Sequence, residues 1–304
     1  MISVVIPLYN KEKSITKTLE SVSAQNYTDW ECIVVNDGST DKSAEVVERL
    51  TINDERFLLI NQENAGVSAA RNRGIVEAKG EYVAFLDGDD LWDASYLDEL
   101  YKLISDYPGK GIYGIGCQEI YNDEIPHVPG DYYRGPHDEW NYTNVAWTGS
   151  SATAPKDALI AVGLFDERLK YGEDKDMWYR LQLYAGGACY CKPLAYYRQD
   201  AENRAMLRVK PLEKHLVYYM EKYRKLSVKG EEVNVLSNKS FRIFFYTEMV
   251  QTLFPYMFDK QYHNEAKRLA KQIDYTGLKW SLRFRMEHPW MYRIYLKLRG
   301  KSII

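Results

Sequence analysis

Residues 81–93, EYVAFLDGDDLWD, carry an apolar run, Tyr82 to Leu86, into three carboxylates: Asp87, Asp89 and Asp90. Like charges at contact distance resist joint ionisation, so this cluster calls for a cation. In an extended segment, residues two apart project to the same side, which lets Asp87 and Asp89 face one ion across Gly88. Hard oxygen ligands without histidine or thiolate suit Mg2+ or Mn2+, ions that share their shell with substrate phosphates. The competing use is an acidic cap on the next helix, LWDASYLDEL. Asp93 fills that role and leaves the three earlier acids unexplained.

Other chemistry stands at the ends of apolar runs. Asp37 follows CIVVN and opens DGSTDKS, where it either orders a turn or accepts the imide N–H of a base such as uracil. Tyr9, beside Asn10, is either a loop residue or a flat surface on which a base stacks. Glu173 and Asp174 follow a glycine and open the helical stretch EDKDMWYRLQLY. They serve there as acid–base groups or as ordinary partners of the helix dipole.

The elements that position these groups follow from periodicity. Apolar runs begin near Ile2, Cys32, Arg56 and Tyr82, and helix-like stretches span 14–25, 41–50 and 66–78. Short strands alternating with single helices predict an α/β fold with a mostly parallel central sheet, helices on both faces. Ligands of such sheets bind outside the carboxyl ends of the strands, where residues 7–10, 36–39, 61–64 and 87–90 all fall. From 110 to 150 the pattern loosens and predicts long loops. A helix is expected to start near Pro155, and ACYCKPLAYYRQ reads as a strand. Helical character takes over after a boundary near 205, giving domains of 1–204 and 205–304.

Composition sets limits. With 304 residues, 45% apolar content and a net charge of −3, the chain is an ordinary globular protein with no case for nucleic-acid binding. Cys32, Cys117, Cys189 and Cys191 fit neither a zinc site nor a disulfide framework; Cys189 and Cys191 are expected on one strand face. With no leader at the N-terminus and no run near the ~20 apolar residues of a membrane span, the expected location is cytoplasmic and reduced.

Three stretches together, VVIPLYNKEKSITKTLESVSAQNYTDWECIVVNDGSTDKS, NAGVSAARNRGIVEAKGEYVAFLDGDD and LKYGEDKDMWYRL, resemble the family 2 glycosyltransferases of the GT-A fold. The resemblance covers about residues 1–200, with the motifs in order. It implies a nucleotide-sugar donor, UDP-linked by expectation, and a saccharide or lipid-linked saccharide acceptor. It places Pro7, Tyr9 and Asn10 along the nucleobase pocket, Asp37 on uracil, and Arg71 near the base and diphosphate. Asp87, Gly88 and Asp89 match the DxD motif that holds ribose and a divalent ion, Mn2+ or Mg2+. Asp174 matches the general base of an inverting transfer, Glu173 a group that orients the acceptor or the base, and Trp178 a side chain packed beneath the site. Asp90 is set aside as the start of the next turn.

One departure stands out. Family members often carry a histidine after the segment corresponding to YYRQ, and this chain has none there. Asp200 as a hard ligand, or Arg198 and Arg204 as diphosphate cations, are the alternatives. The C-terminal stretch 279–301 interleaves Lys and Arg with Trp, Phe and Tyr against a single acid, Glu287. Two uses stay open for it: an amphipathic helix on an anionic membrane face, making the protein peripheral there, or a terminal helix packed on its own protein. Two rival functions also stand. A sugar nucleotidyltransferase needs a glycine-rich basic loop after the first strand, which PLYNKEKS lacks; a non-catalytic binding subunit has no use for Asp174.

Overall fold

The first strand, β1 (Ile2–Leu8), is buried along nearly its whole length, as a central parallel strand must be. The computed structural model describes residues 1–137, 147–202 and 211–291. These residues fall into two compact units, one up to residue 202 and one from 211. The expected boundary near 205 lies outside the described residues.

In the first unit the order is β1, α1 (Ile15–Ser23), β2 (Trp30–Asp37), α2 (Ser43–Thr51), β3 (Phe57–Gln62), α3 (Val67–Glu77), β4 (Tyr82–Phe85), β5 (Leu91–Trp92), α4 (Tyr96–Asp106), β6 (Ile112–Ile120), β7 (Arg134–Pro136), β8 (Ala152–Pro155), α5 (Lys156–Ala161), α6 (Glu173–Ala185) and β9 (Gly187–Arg198). One nine-stranded sheet runs β3-β2-β1-β4-β8-β6-β9-β5, with β7 on β9. The β3-β2-β1-β4 half is parallel throughout, and β8 then enters antiparallel to β4. Strand order reverses beside β1: β2 lies on one side and β4 on the other. That reversal opens the crevice in which such sheets bind ligands.

Alternation along β1 feeds two cores. Val4, Ile6 and Leu8 join Ile15, Leu19 and Val22 of α1 and Leu97 and Leu100 of α4. Val5 faces the other way, with Ile75 of α3, Phe85 of β4, Leu159 of α5 and Met177, Trp178 and Leu181 of α6. The α1 pattern places Ile15, Leu19 and Val22 at helical spacing and all three are buried.

Two expectations need correction. The 110–150 stretch is not all loop: β6 is a central strand, paired with β8 and β9. Its glycines hid it, because glycine weakens a strand and lacks a side chain to show alternation. A Cβ on Gly116 would stand 2.4 Å from the Cys191 carbonyl oxygen and 2.5 Å from that of Lys192. This is where the β6–β9 register slips through a bulge, so the glycine admits the neighbouring backbone. Second, Asp93 does not cap α4. Its Oδ1 accepts from Ser95 N at 2.9 Å in a turn just before the helix, and Ser95 holds the N-cap position.

The second unit holds a 3-10 segment, Leu216–Arg224, the hairpin β10 (Leu226–Val228) and β11 (Glu231–Val233), then α7 (Lys239–Tyr256), α8 (His263–Ala270) and α9 (Trp280–Glu287). The hairpin interrupts the all-helical character expected after 205. Its turn residues Lys229 and Gly230 have φ of 52° and 83°, the paired left-handed geometry of a tight two-residue hairpin loop. Tyr223, Phe241 and Phe245 form an aromatic cluster at its centre. No helix among the described residues is long and apolar enough to cross a membrane.

Candidate active site

The carboxyl ends of β1, β2 and β4 and the N-termini of α3 and α6 supply the polar groups. At the end of β2, Asp37 is 3% exposed. Its Oδ1 accepts from Gln62 Nε2 (2.8 Å) and Ala65 N (2.9 Å), and its Oδ2 from Gly66 N (2.8 Å). The turn-ordering role is therefore present: the carboxylate ties β2 to the start of α3. Beyond β1, Asn10 takes a φ of 54°, a value asparagine tolerates better than most residues. Its N–H donates to Ser39 Oγ, and its Oδ1 accepts from Thr40 N at 2.8 Å. Tyr9 next to it is 36% exposed. Pro7 lies inside β1, paired with Val35 of β2, and its carbonyl is 3.3 Å from where a Cβ on Gly88 would stand.

The acidic cluster resolves into three separate fates. Asp87 Oδ1 accepts from Arg71 Nη2 at 2.8 Å. Asp89 Oδ2 accepts from Lys11 Nζ at 2.5 Å. Asp90 is buried, accepting from Ser150 Oγ and, at 3.1 Å, from Arg198 N. The Asp87 N–H donates to the same Ser150 Oγ, so this hydroxyl fixes the loop that carries the acids. Burial first, and then Asp89 and Asp87, raise the Asp90 carboxyl well above its usual range. Burial also raises Asp89, against the pull of Lys11. The cations expected from like-charge crowding are thus present as two side chains, one on each aspartate of the DxD motif.

Arg71 reaches further than the sequence suggested. Buried at 3% exposure, it holds Asp87 and also donates from Nη1 to Glu173 Oε1 at 3.2 Å. Burial works against its charge, but Asp87, Glu173 and Asp174 outweigh it and push the guanidinium up. One buried cation therefore joins the DxD loop to the N-terminus of α6. Glu173 shifts too: burial first, then the neighbouring Asp174, raise its carboxyl to about 7, against the attraction of Arg71. Gly172, at φ 76°, turns the chain into α6. Asp174, half-buried, accepts from Lys175 N. Below them Trp178 is 2% exposed and packs on Phe85 and Phe165, and Asp176 pairs with Arg180.

Sequence reasoning missed Lys11, Ser150 and Glu202. Lys11 directly follows the strand-end residues PLYN, which was the available signal; nothing local marks Glu202. The Glu202 carboxylate accepts from Lys13 N (3.0 Å), Ser14 N (3.1 Å) and Ser14 Oγ. It caps α1 from a distant part of the chain, where Ser14 itself makes no side-chain cap. The Arg198 guanidinium stands 2.8 Å from Asp123 and 4.0 Å from Asp200. Arg204 lies outside the described residues.

The sheet order and the strand-end cluster define an α/β architecture with a ligand crevice at the carboxyl ends of its strands. The Glycosyl transferase family 2 model matches residues 3–138, so this N-terminal part of the chain is similar to that family. Among relatives, glycosyltransferase GlyA of Streptococcus pneumoniae is 29% identical over 90% of this chain and 44% of its own length. Glycosyltransferase GlyG of the same organism is 37% identical over 47% of this chain and 42% of its own. The chain thus spans about half the length of these curated relatives or less. Among solved structures, S. aureus TarS 1–349 in complex with UDP matches with a TM-score of 0.60 at 19% identity, over 100% of this chain and 94% of that one. Its complex with UDP-GlcNAc gives 0.59 at 20% identity, over 97% and 79%. At such identity the likeness is one of fold, and the GT-A expectation holds.

Proposed function

We propose that the protein is a metal-dependent inverting glycosyltransferase that moves a sugar from a UDP-linked donor to a saccharide or lipid-linked saccharide acceptor. The observation that carries this reading is the Arg71 bridge. It ties a donor-type acidic loop, Asp87 and Asp89, to a second carboxyl pair, Glu173 and Asp174, that a plain binding subunit would not need. The UDP and UDP-GlcNAc complexes of the TarS fold relative support the donor class. The curated family relatives support the transfer.

Asp87 and Asp89 fit a divalent ion: both are hard oxygen donors, and burial, followed by the charge of Asp87, raises the Asp89 carboxyl, which added positive charge relieves. Among the described residues no three His, Cys, Asp or Glu side chains gather as a cage, so diphosphate oxygens and water would complete such an ion's shell. When bound, the ion supplies positive charge to the departing diphosphate. Tyr9 offers a face to the base, Asn10 and Asp37 shape the pocket behind it, and Arg71 keeps Asp87 oriented. Asp174 takes the proton from the acceptor hydroxyl as that oxygen attacks the anomeric carbon opposite the leaving group. Glu173, titrating near 7, orients the acceptor or the base. Domains of 1–204 for transfer and 205–304 for acceptor or membrane contact complete the proposal.

The test is a panel of nucleotide sugars scored for Mn2+-dependent hydrolysis and thermal stabilisation. One UDP-sugar should stabilise the wild type, and Asp89→Ala should abolish the effect. Stabilisation that needs no metal and survives Asp89→Ala would refute the assignment.

A further inference from the structure

We infer that Lys11 is a two-position cation: it neutralises Asp89 in the donor-free protein and moves to the donor's diphosphate once a divalent ion takes that carboxylate. The inference rests on the nucleotide-sugar reading above. Lys11 Nζ donates to Asp89 Oδ2 at 2.5 Å and to the Glu202 carbonyl at 2.6 Å, and both charged side chains are largely enclosed, at 12% and 13% exposure. The ammonium thus sits on the carboxylate that the ion requires.

The backbone that carries Lys11 is held on two sides. Its N–H donates to Ser43 Oγ at 2.8 Å, and its carbonyl accepts from Ser14 N and Ile15 N. Glu202 then locks the next turn through Lys13 and Ser14. The backbone is held while the four-carbon stem has rotatable bonds, which suits a charge that changes partners without moving the fold. A monovalent ammonium yields a carboxylate to a divalent ion, because the Coulomb attraction scales with charge. Displaced from Asp89, it stays within a stem's reach of the ion and of the phosphates bound to it. The histidine-free segment after Tyr197 strengthens the case. Arg198, which with Arg204 was the alternative there to Asp200 as a ligand, is engaged by Asp123, whereas Lys11 already stands at the motif.

Titrating Mn2+ alone, followed by the EPR signal of the free ion, decides the matter across wild type, Lys11→Met, Lys11→Gln, Lys11→Arg and Asp89→Asn. Removing the competing ammonium should tighten Mn2+ binding about tenfold in Lys11→Met and Lys11→Gln, the effect of one charge-assisted hydrogen bond. UDP affinity at saturating Mn2+, by calorimetry, should fall about tenfold in the same two variants and recover in Lys11→Arg. A lysine that only held the loop in place would weaken both affinities when lost, so tighter metal binding separates the roles. If Asp89→Asn loses Mn2+ while the neutral Lys11 variants bind it no tighter than wild type, the Lys11 inference falls and the metal site stands. If Asp89→Asn binds Mn2+ like wild type, both fall.

Discussion

At the scale of single residues, the carboxyls of this site are separated by environment. Glu173 is enclosed beside Asp174 and titrates near 7, above its ordinary 4.5. Between those values the native protein holds a proton that the unfolded chain has released. The stability linked to Glu173 is therefore full below about 4.5 and is lost as the pH rises through 7. Denaturant unfolding at pH 5 and pH 8 should show a smaller loss for Glu173→Gln than for the wild type. Asp89 and Asp90 shift in the same direction but are common to both proteins, so their part cancels in the difference. Equal losses in the two proteins would place the Glu173 titration elsewhere. For Asp174→Asn the expectation concerns rate: UDP affinity is kept while transfer drops by about 10² to 10⁴, the usual scale for a lost general base. Equal loss of affinity and turnover would make Asp174 a binding or structural residue.

At the scale of elements, the site depends on what glycine permits and what aromatic packing enforces. The β9 bulge lies against Gly116 of β6, with two carbonyl oxygens within 2.5 Å of the absent Cβ. All three nearest atoms are backbone of Cys191 and Lys192, so no flexible side chain is there to give way. Gly116→Ala should cost about 1–3 kcal/mol as overpacking, seen as a lower urea midpoint. A midpoint equal to wild type would mean that the two strands separate freely at the bulge. The same strand β9 ends at Arg198, whose N–H holds Asp90, so its position bears on the acidic loop. On the opposite side of that loop, Phe85 and Trp178 pack β4 against α6, which sets the reach that Arg71 spans between them.

At the scale of the whole molecule, the described part of the basic C-terminal stretch is divided. In α9, Leu282 and Met286 are buried, and Arg285 lies over Phe254 of α7 at 5.1 Å. That face packs within its own unit. Trp280 and Trp290 are 73% and 60% exposed, and these are the side chains that would enter an interface. Residues 292–301, which carry Arg293, Lys297, Arg299 and Lys301, lie outside the described residues. The proposal is that 279–301 holds the protein to anionic bilayers, each Lys or Arg adding about 1 kcal/mol near the surface. Sedimentation with anionic vesicles should show binding at low salt, weakened by high salt and lost on truncation before Lys279. Full-length protein that ignores such vesicles at low salt would leave the stretch as a packed terminal helix.

The alternation of short apolar strands with amphipathic helices was enough to predict the α/β class, because burial on both faces of a parallel sheet imposes that pattern locally. Strand ends could be found the same way, and with them Asp37, Asp87 and Asp89, since chemistry in such sheets gathers at one edge; the Glu173-Asp174 pair was read instead from a glycine opening a helix and from the family motif. Their partners were not legible. Arg71 meets Glu173 across 102 positions, Lys11 meets Asp89 across 78, and Glu202 caps Ser14 across 188. Separations of that size leave no periodic trace in a single sequence. The strand β6 stayed hidden for a related reason: Gly116 answers to a neighbouring backbone bulge, and only the folded sheet brings that backbone within reach.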